Sequence, residues 1–193
     1  MGRLGQSFVK FMKIIRTPLP KNSILNTMEF EYFDSYQGYY FDGKDQVGSE
    51  DIGKAFFSSA PGWTAKLFAL RNRIVSFFGL KIPEKTNNRE ELLKKFKCEP
   101  GERLGLFSIY HKTADEVVLG EDDKHLNFRV SLYKEPIGEE EGKKGLTIST
   151  IVKFNNWFGK LYFLPVKPFH KLIVPRMLKG ILEQLEMETK TSC

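Results

Sequence analysis

Two cysteines in 193 residues, Cys98 and the terminal Cys193, are too few for a disulfide framework, so a reduced, cytoplasmic setting is the simplest expectation. No apolar run approaches the roughly 20 residues that span a bilayer. Histidine is scarce too: His111, His125 and His170 form no HxxxH or HxH pair, and none has a cysteine at ligand spacing, so no metal site is read from them. The chain has no GxSxG elbow, no Walker loop and no GxGxxG fingerprint, and neither cysteine has the context of a nucleophile. No catalytic motif and no cofactor follow from the sequence. A content of 41% hydrophobic and 13% aromatic residues is that of a globular chain with a substantial core, which excludes disorder beyond the ends.

Acids are missing from the first 21 residues, which hold Arg3, Lys10, Lys13, Arg16 and Lys21. From Asn22 onward 25 bases face 24 acids, so the net charge of +6 belongs almost entirely to the N-terminal segment. A nearly neutral domain argues against a nucleic-acid partner, which requires bases clustered on the folded face. The segment itself is amphipathic, with Leu4, Phe8, Phe11 or Met12, and Ile15 on one helical stripe. Lys10 and Lys13 interrupt any signal-peptide core, and Gln6 stands where a myristoylation signal needs Ser or Thr. Two readings remain: a helix that docks on its own domain, or one that makes weak contact with an anionic membrane surface.

Along the chain, MEFEYFDSYQGYYF (Met28 to Phe41) reads as a first strand, bulged near Gly38. Ser49, followed by Glu50 and Asp51, opens a short helix that Pro61-Gly62 ends. A second helix carries Trp63, Leu67, Leu70, Ile74 and Phe77 or Phe78 on its stripe, and a small charged helix follows between Asn88 and Cys98. The period then changes to 2. Strands are expected over Arg103 to Thr113, Glu116 to Gly120, His125 to Tyr133 and Leu146 to Phe154. Phe169, Leu172, Ile173, Met177, Ile181 and Leu185 recur at helical spacing after Pro168, which predicts a C-terminal helix from about Pro168 to Glu186. Pro175 should kink it by deleting the bond to the Lys171 carbonyl.

Several of these segments carry a resemblance. FDSYQ (Phe33 to Gln37), PGWTAKLFALRNRIVSFFGLK (Pro61 to Lys81), KHLNFRVSLY (Lys124 to Tyr133), TISTIVKFNNWFGKLYF and VKPFHKLIVPRML resemble, in order, the motifs of a bacterial family known as domain of unknown function 2867. The likeness runs from about Ile24 to about Gln184. It implies a START-like, helix-grip (SRPBCC) architecture: an α+β domain in which a curved antiparallel sheet wraps a long C-terminal helix around an apolar pocket. Asn127 stands where the family pattern would have an acid.

The candidate site residues follow from faces. In the strand from His125 to Tyr133, Leu126, Phe128, Val130 and Leu132 share one face, while His125, Asn127, Arg129, Ser131 and Tyr133 share the other. The polar face is either the solvated outside of the sheet or a cavity rim where His125 and Arg129 orient a ligand carboxylate or phosphate. Arg71 falls on the apolar stripe of the second helix; it snorkels, or it needs a buried acid, for which Asp34 is the candidate. His170, in what would be the first helical turn, either donates to backbone or serves in acid–base chemistry. Arg176 beside the kink reaches the freed carbonyls or the cavity mouth. Trp157, Phe158, Tyr162 and Phe163 read as core or lid packing rather than stacking platforms.

These readings converge on a single domain over 22–187, preceded by a basic segment over 1–21 and followed by a disordered end over 188–193. The expected activity is binding of a small hydrophobic molecule, lipid or polyketide-like, against Phe128, Val130, Ile148, Val152, Leu172 and Met177. A cyclase or hydratase using His125 or His170 with Arg129 is the alternative, and a peripheral membrane or partner-docking protein the second.

Overall fold

The computed structural model describes residues 13–59, 93, 95–138 and 140–191. The start of the basic segment, the second helix with Arg71, most of the small charged helix, and Cys193 lie outside the described residues.

Strand residues with period-2 alternation build one antiparallel sheet. Its strands are β1 (Ile15–Arg16), β2 (Tyr32–Phe41), β3 (Arg103–Leu104), β4 (Phe107–Lys112), β5 (Glu116–Asp122), β6 (Leu126–Pro136) and β7 (Lys143–Phe154). They lie in the order β1-β2-β7-β6-β5-β4-β3. The last four long strands form a meander, and β7 then returns to pair with β2, an early strand, from Tyr32↔Val152 to Phe41↔Lys143. Two helices complete the described fold: α1 (Ser49–Ser58) and α2 (Trp157–Thr191). The α+β helix-grip expectation holds: a curved antiparallel sheet with a long C-terminal helix across it.

One face of the sheet meets α2. Tyr36, Gly38, Val130, Leu132, Leu146 and Ile148 on the sheet side meet Val174, Leu178, Ile181, Leu182 and Leu185 on α2, with Ile52, Ala55, Phe56 and Phe57 of α1 filling the end. Each such aliphatic side chain withdrawn from water stabilises the fold by about 1.5–3 kcal/mol. Gln184 Oε1 accepts from the hydroxyls of Ser58 and Ser59, which fixes the end of α1 against α2.

The helix begins earlier than its prolines suggest. Trp157, not Pro168, is its first residue, and it runs 35 residues, about 52 Å, with Pro165, Pro168 and Pro175 inside. The start is set by Asn156, whose Oδ1 accepts from the Gly159 N–H at 3.1 Å, an N-terminal cap that the proline signal masked. Each proline leaves one carbonyl without its helical donor. Those carbonyls belong to Leu161, Leu164 and Lys171, all exposed residues, where water can take the place of the missing donors. The buried stripe is accordingly rotated from the expected one: Phe169 and Leu172 face solvent, and Val174 and Leu178 take the core positions.

Other expectations need correction. β2 passes through Gly38 without a bulge, since Gly38 pairs in register with Leu146. A Cβ there would press on Leu182 and Ile14, so glycine serves the approach of α2 rather than a bend. The register shift lies instead between Ile109 and His111. Ile15 and Arg16 belong to β1, not to an N-terminal helix, and Ile14 packs on the core, so the domain begins before residue 22. At the other end α2 continues through Thr191, into the stretch expected to be disordered.

Two outcomes test this architecture. Gly159 sits in the first turn of α2, where a Cβ would run into the His125 carbonyl oxygen. Gly159→Ala should therefore destabilise by about 1–3 kcal/mol although alanine is the better helix former, as read from urea unfolding. Cys98 is buried, with its thiol pushed up to about 12 chiefly by that burial. Alkylation with peptide mapping should leave it unmodified in the folded protein and label it fully in urea.

Candidate functional site

The most unusual local chemistry lies where α2 crosses β2 and β7. Tyr32, Asp34 and Tyr36 alternate onto the helix-facing side of β2, and register puts Asp34 directly across from Thr150 of β7. His170 falls on the buried stripe of α2 between Phe163 and Val174. Its Nδ1 is 2.9 Å from Asp34 Oδ2, which also accepts from the Tyr32 hydroxyl at 2.6 Å. Asp34 has no solvent exposure, and an ionised carboxylate only accepts. With the proton on Nδ1, His170 donates to Asp34 and Nε2 is the nitrogen presented away from it.

Two buried polar atoms beside this pair have no hydrogen-bond partner: Asp34 Oδ1 and Thr150 Oγ1. Leaving such groups unpaired costs about 1–3 kcal/mol each, so a pair on facing positions of neighbouring strands needs a reason. Burial first, and the adjacent Asp34 next, push the Tyr32 phenol well above its ordinary range; Tyr36 is pushed the same way by the same two causes. Both phenols are thus held protonated, as donors. Arg16, paired across from Tyr36 on β1, acts in the opposite sense on both. Lys167 Nζ lies 5.1 Å over the Tyr32 ring, whose other edge meets Phe163 at 4.8 Å.

The residues singled out from sequence divide between this side and others. Val130, Ile148 and Val152 are buried on the helix-facing side, with Phe128 and Met177 packed against them. Leu172 is 55% exposed and points away from the sheet. Arg176 Nη1 reaches the Leu172 carbonyl at 3.3 Å, within the helix itself. His170 does not bond backbone; it is the fourteenth residue of α2, far from any helix-terminal dipole.

Arg129 lies on the opposite face of the sheet. It forks onto Asp122 at 2.9 and 3.0 Å, lies 3.6 Å over the Tyr110 ring and donates to the Phe128 carbonyl. That guanidinium holds the Asp122 carboxyl below its usual range. A shallow cleft of about 230 Å³ lies there, lined by Met28, Glu29, Asn127, Arg129, Ile151 and Lys153. His125 is elsewhere again: its ring packs at a tilt against Phe158, centroids 4.7 Å apart, and its Nδ1 is 3.2 Å from Asn156 Oδ1, at the start of α2. Phe158 and His170 stand twelve residues apart on one helix, about 18 Å, so neither His125 nor Arg129 joins His170 in one site.

The outer face is not simply solvated. Ser23 Oγ, the Ile24 N–H and Ser131 Oγ all donate to the buried carboxylate of Glu116, pinning the 3-10 turn Ile24–Thr27 onto the sheet. Leu25, Val118 and Ile151 form a small second core beneath it. Among the described residues no group of histidine, cysteine and carboxylate side chains is arranged to hold a metal, and no helix is long and apolar enough to cross a membrane.

The Asp34–His170 contact generates a direct test. His170→Ala should cost about 1–3 kcal/mol by stripping a buried carboxylate of a donor. In a double-mutant cycle with Asp34→Asn, unfolding should show a coupling of about 0.5–3 kcal/mol. Additive losses would mean that the two side chains are neighbours without being partners.

Neither a curated protein nor a solved structure matches the chain. The model of the protein family of unknown function DUF2867 matches residues 27–177, from just before β2 into the second half of α2, which takes in Asp34, Thr150 and His170 alike; the chain belongs to that family.

Proposed function

We propose that the protein binds a small, largely apolar molecule between its sheet and α2, in the manner of START-like proteins, with Asp34 and Thr150 as the polar points that orient it. The observation that carries this reading is the pair of unpartnered, buried atoms, Asp34 Oδ1 and Thr150 Oγ1, on residues that face each other across β2 and β7. Binding sites of this type combine apolar walls with a few placed polar groups. A buried free thiol at Cys98, kept protonated by that burial, suits a reduced cytoplasmic setting.

The chemistry of the two atoms narrows the ligand. Asp34 Oδ1 accepts, and Thr150 Oγ1 both accepts and donates. A neutral hydroxyl or an amine satisfies them together. A carboxylate or phosphate would bring only acceptor oxygens to Asp34 Oδ1, itself an acceptor, which opposes binding. This differs from the acid-recognising role that Arg129 would have conferred, because Arg129 lies across the sheet.

One observation favours an enzymatic version of the same site. An imidazole whose Nδ1 is held by a buried carboxylate presents Nε2 as an oriented base, the arrangement that proton-transfer enzymes use. A hydratase or cyclase of this kind would use His170, held by Asp34, without His125 or Arg129.

Native mass spectrometry of the purified chain should detect a retained apolar metabolite. Independently, a fluorescent long-chain alcohol should bind more tightly than the matching carboxylic acid, and Thr150→Val with Asp34→Asn should weaken the alcohol by about tenfold or more. Equal affinity for alcohol and acid, or a double variant that binds as well as the parent, would remove Asp34 and Thr150 from the ligand site.

A further inference from the structure

The apolar residues of α2 that do not pack inward have a pattern of their own. Trp157 is 73% exposed and Leu164 65%, with Leu161, Phe169 and Leu172 also open to solvent. At about 100° per residue, Trp157, Leu161, Leu164 and Leu172 fall within an arc of about 80° and extend over about 22 Å of helix. Single exposed leucines need no explanation, but an aligned row of this length with a tryptophan at its end does.

The charge beside the row has one sign. From Trp157 to Leu182 the helix carries Lys160, Lys167, Lys171, Arg176 and Lys179 and no acid. Lys160 pairs with Glu31 and Lys179 with Glu183, both at the exposed surface, where such pairs hold weakly. Lys160, Lys167 and Lys171 run along one edge of the row, the Lys160 amine lying 5.9 Å over Phe154 and that of Lys167 5.1 Å over Tyr32 at the rim of the sheet.

That sign selects the partner. The two apolar stretches of this chain that could cover the row, residues 1–12 and 61–83, contain six bases and no acid, and a second copy would bring the same basic edge. Each of these covers would set like charges against one another. An anionic surface with an apolar interior meets both features at once: leucine and tryptophan enter the headgroup boundary, and lysines stay at the phosphates.

We propose that the outward face of the N-terminal half of α2 is a docking surface for anionic lipid membranes, on which the helix lies in the plane of the interface. This goes beyond the ligand site and stands independently of it, since it uses the opposite side of the same helix.

The full chain is tested by co-sedimentation with vesicles of phosphatidylcholine containing about a quarter phosphatidylglycerol, against phosphatidylcholine alone, at low and high salt. Binding should require the anionic lipid and fall with salt. The Leu161→Glu, Leu164→Glu double variant should bind about 10–100-fold more weakly while keeping its circular dichroism and its affinity for the fluorescent alcohol. In a Trp63→Phe background, Trp157 is the sole reporter, and its emission should shift to the blue on anionic vesicles only. A lack of sedimentation with anionic vesicles would overturn the proposal. So would a double variant that sediments like the parent, or an unshifted Trp157 in sedimented protein, either of which would assign the contact to another part of the chain.

Discussion

A carboxylate withdrawn wholly from water has to be matched by donors, and Asp34 imposes that requirement at the middle of the sheet-helix interface. Tyr32 answers from two residues away on the same strand, but His170 answers from α2. The bond therefore fixes how α2 is rotated about its own axis and how far it has slid along the sheet. Phe163 falls against Tyr32 and Phe154 on one side of this contact, and Val174 to Leu185 reach the main core on the other. An apolar residue at 170 would tolerate several settings of the helix; an imidazole facing a buried acid tolerates one.

The two faces of the sheet solve the same problem by different means. On the outer face Glu116, also buried, receives three donors and closes a strap over the strands. Its polar capacity is used for architecture. On the inner face Asp34 receives two donors and keeps one oxygen without a protein partner, beside an unpartnered Thr150 hydroxyl. A fully matched carboxylate and an incompletely matched one within a single sheet distinguish the structural pair from the functional candidate more sharply than residue type would.

Much of this fold was legible from periodicity. Alternation located β4 to β7 and named Phe128, Val130, Ile148 and Val152 as inward-facing, because period 2 leaves a strand no other choice once one face is apolar. The same alternation put Arg129 on the other side, so a role for it at an inner cavity conflicted with its own strand. The start of α2 was misread for a physical reason: Pro168 favours a first turn, yet three prolines are tolerated mid-helix when the orphaned carbonyls face water. That shift displaced His170 from a supposed helix end into the buried stripe. Asp34 was visible only as a candidate acid for Arg71; its match to His170 spans 136 positions and depends on register and helix rotation, which local pattern does not encode.

The pairing of β2 with β7 has a consequence for how the chain is made. Tyr32 meets Val152 across 120 residues, and α2, which seals both strands, comes last of all. Synthesis proceeds at about 5–20 residues per second, so β2 waits roughly 6–24 s for its neighbour to leave the ribosome. For that interval an aromatic strand whose β7-facing edge is unpaired is presented to the cell, the condition in which strands join the wrong partners. Glu31 before it, Asp34 within it and Asp42 after it place acids along that waiting segment, where charges of one sign oppose strand-to-strand association.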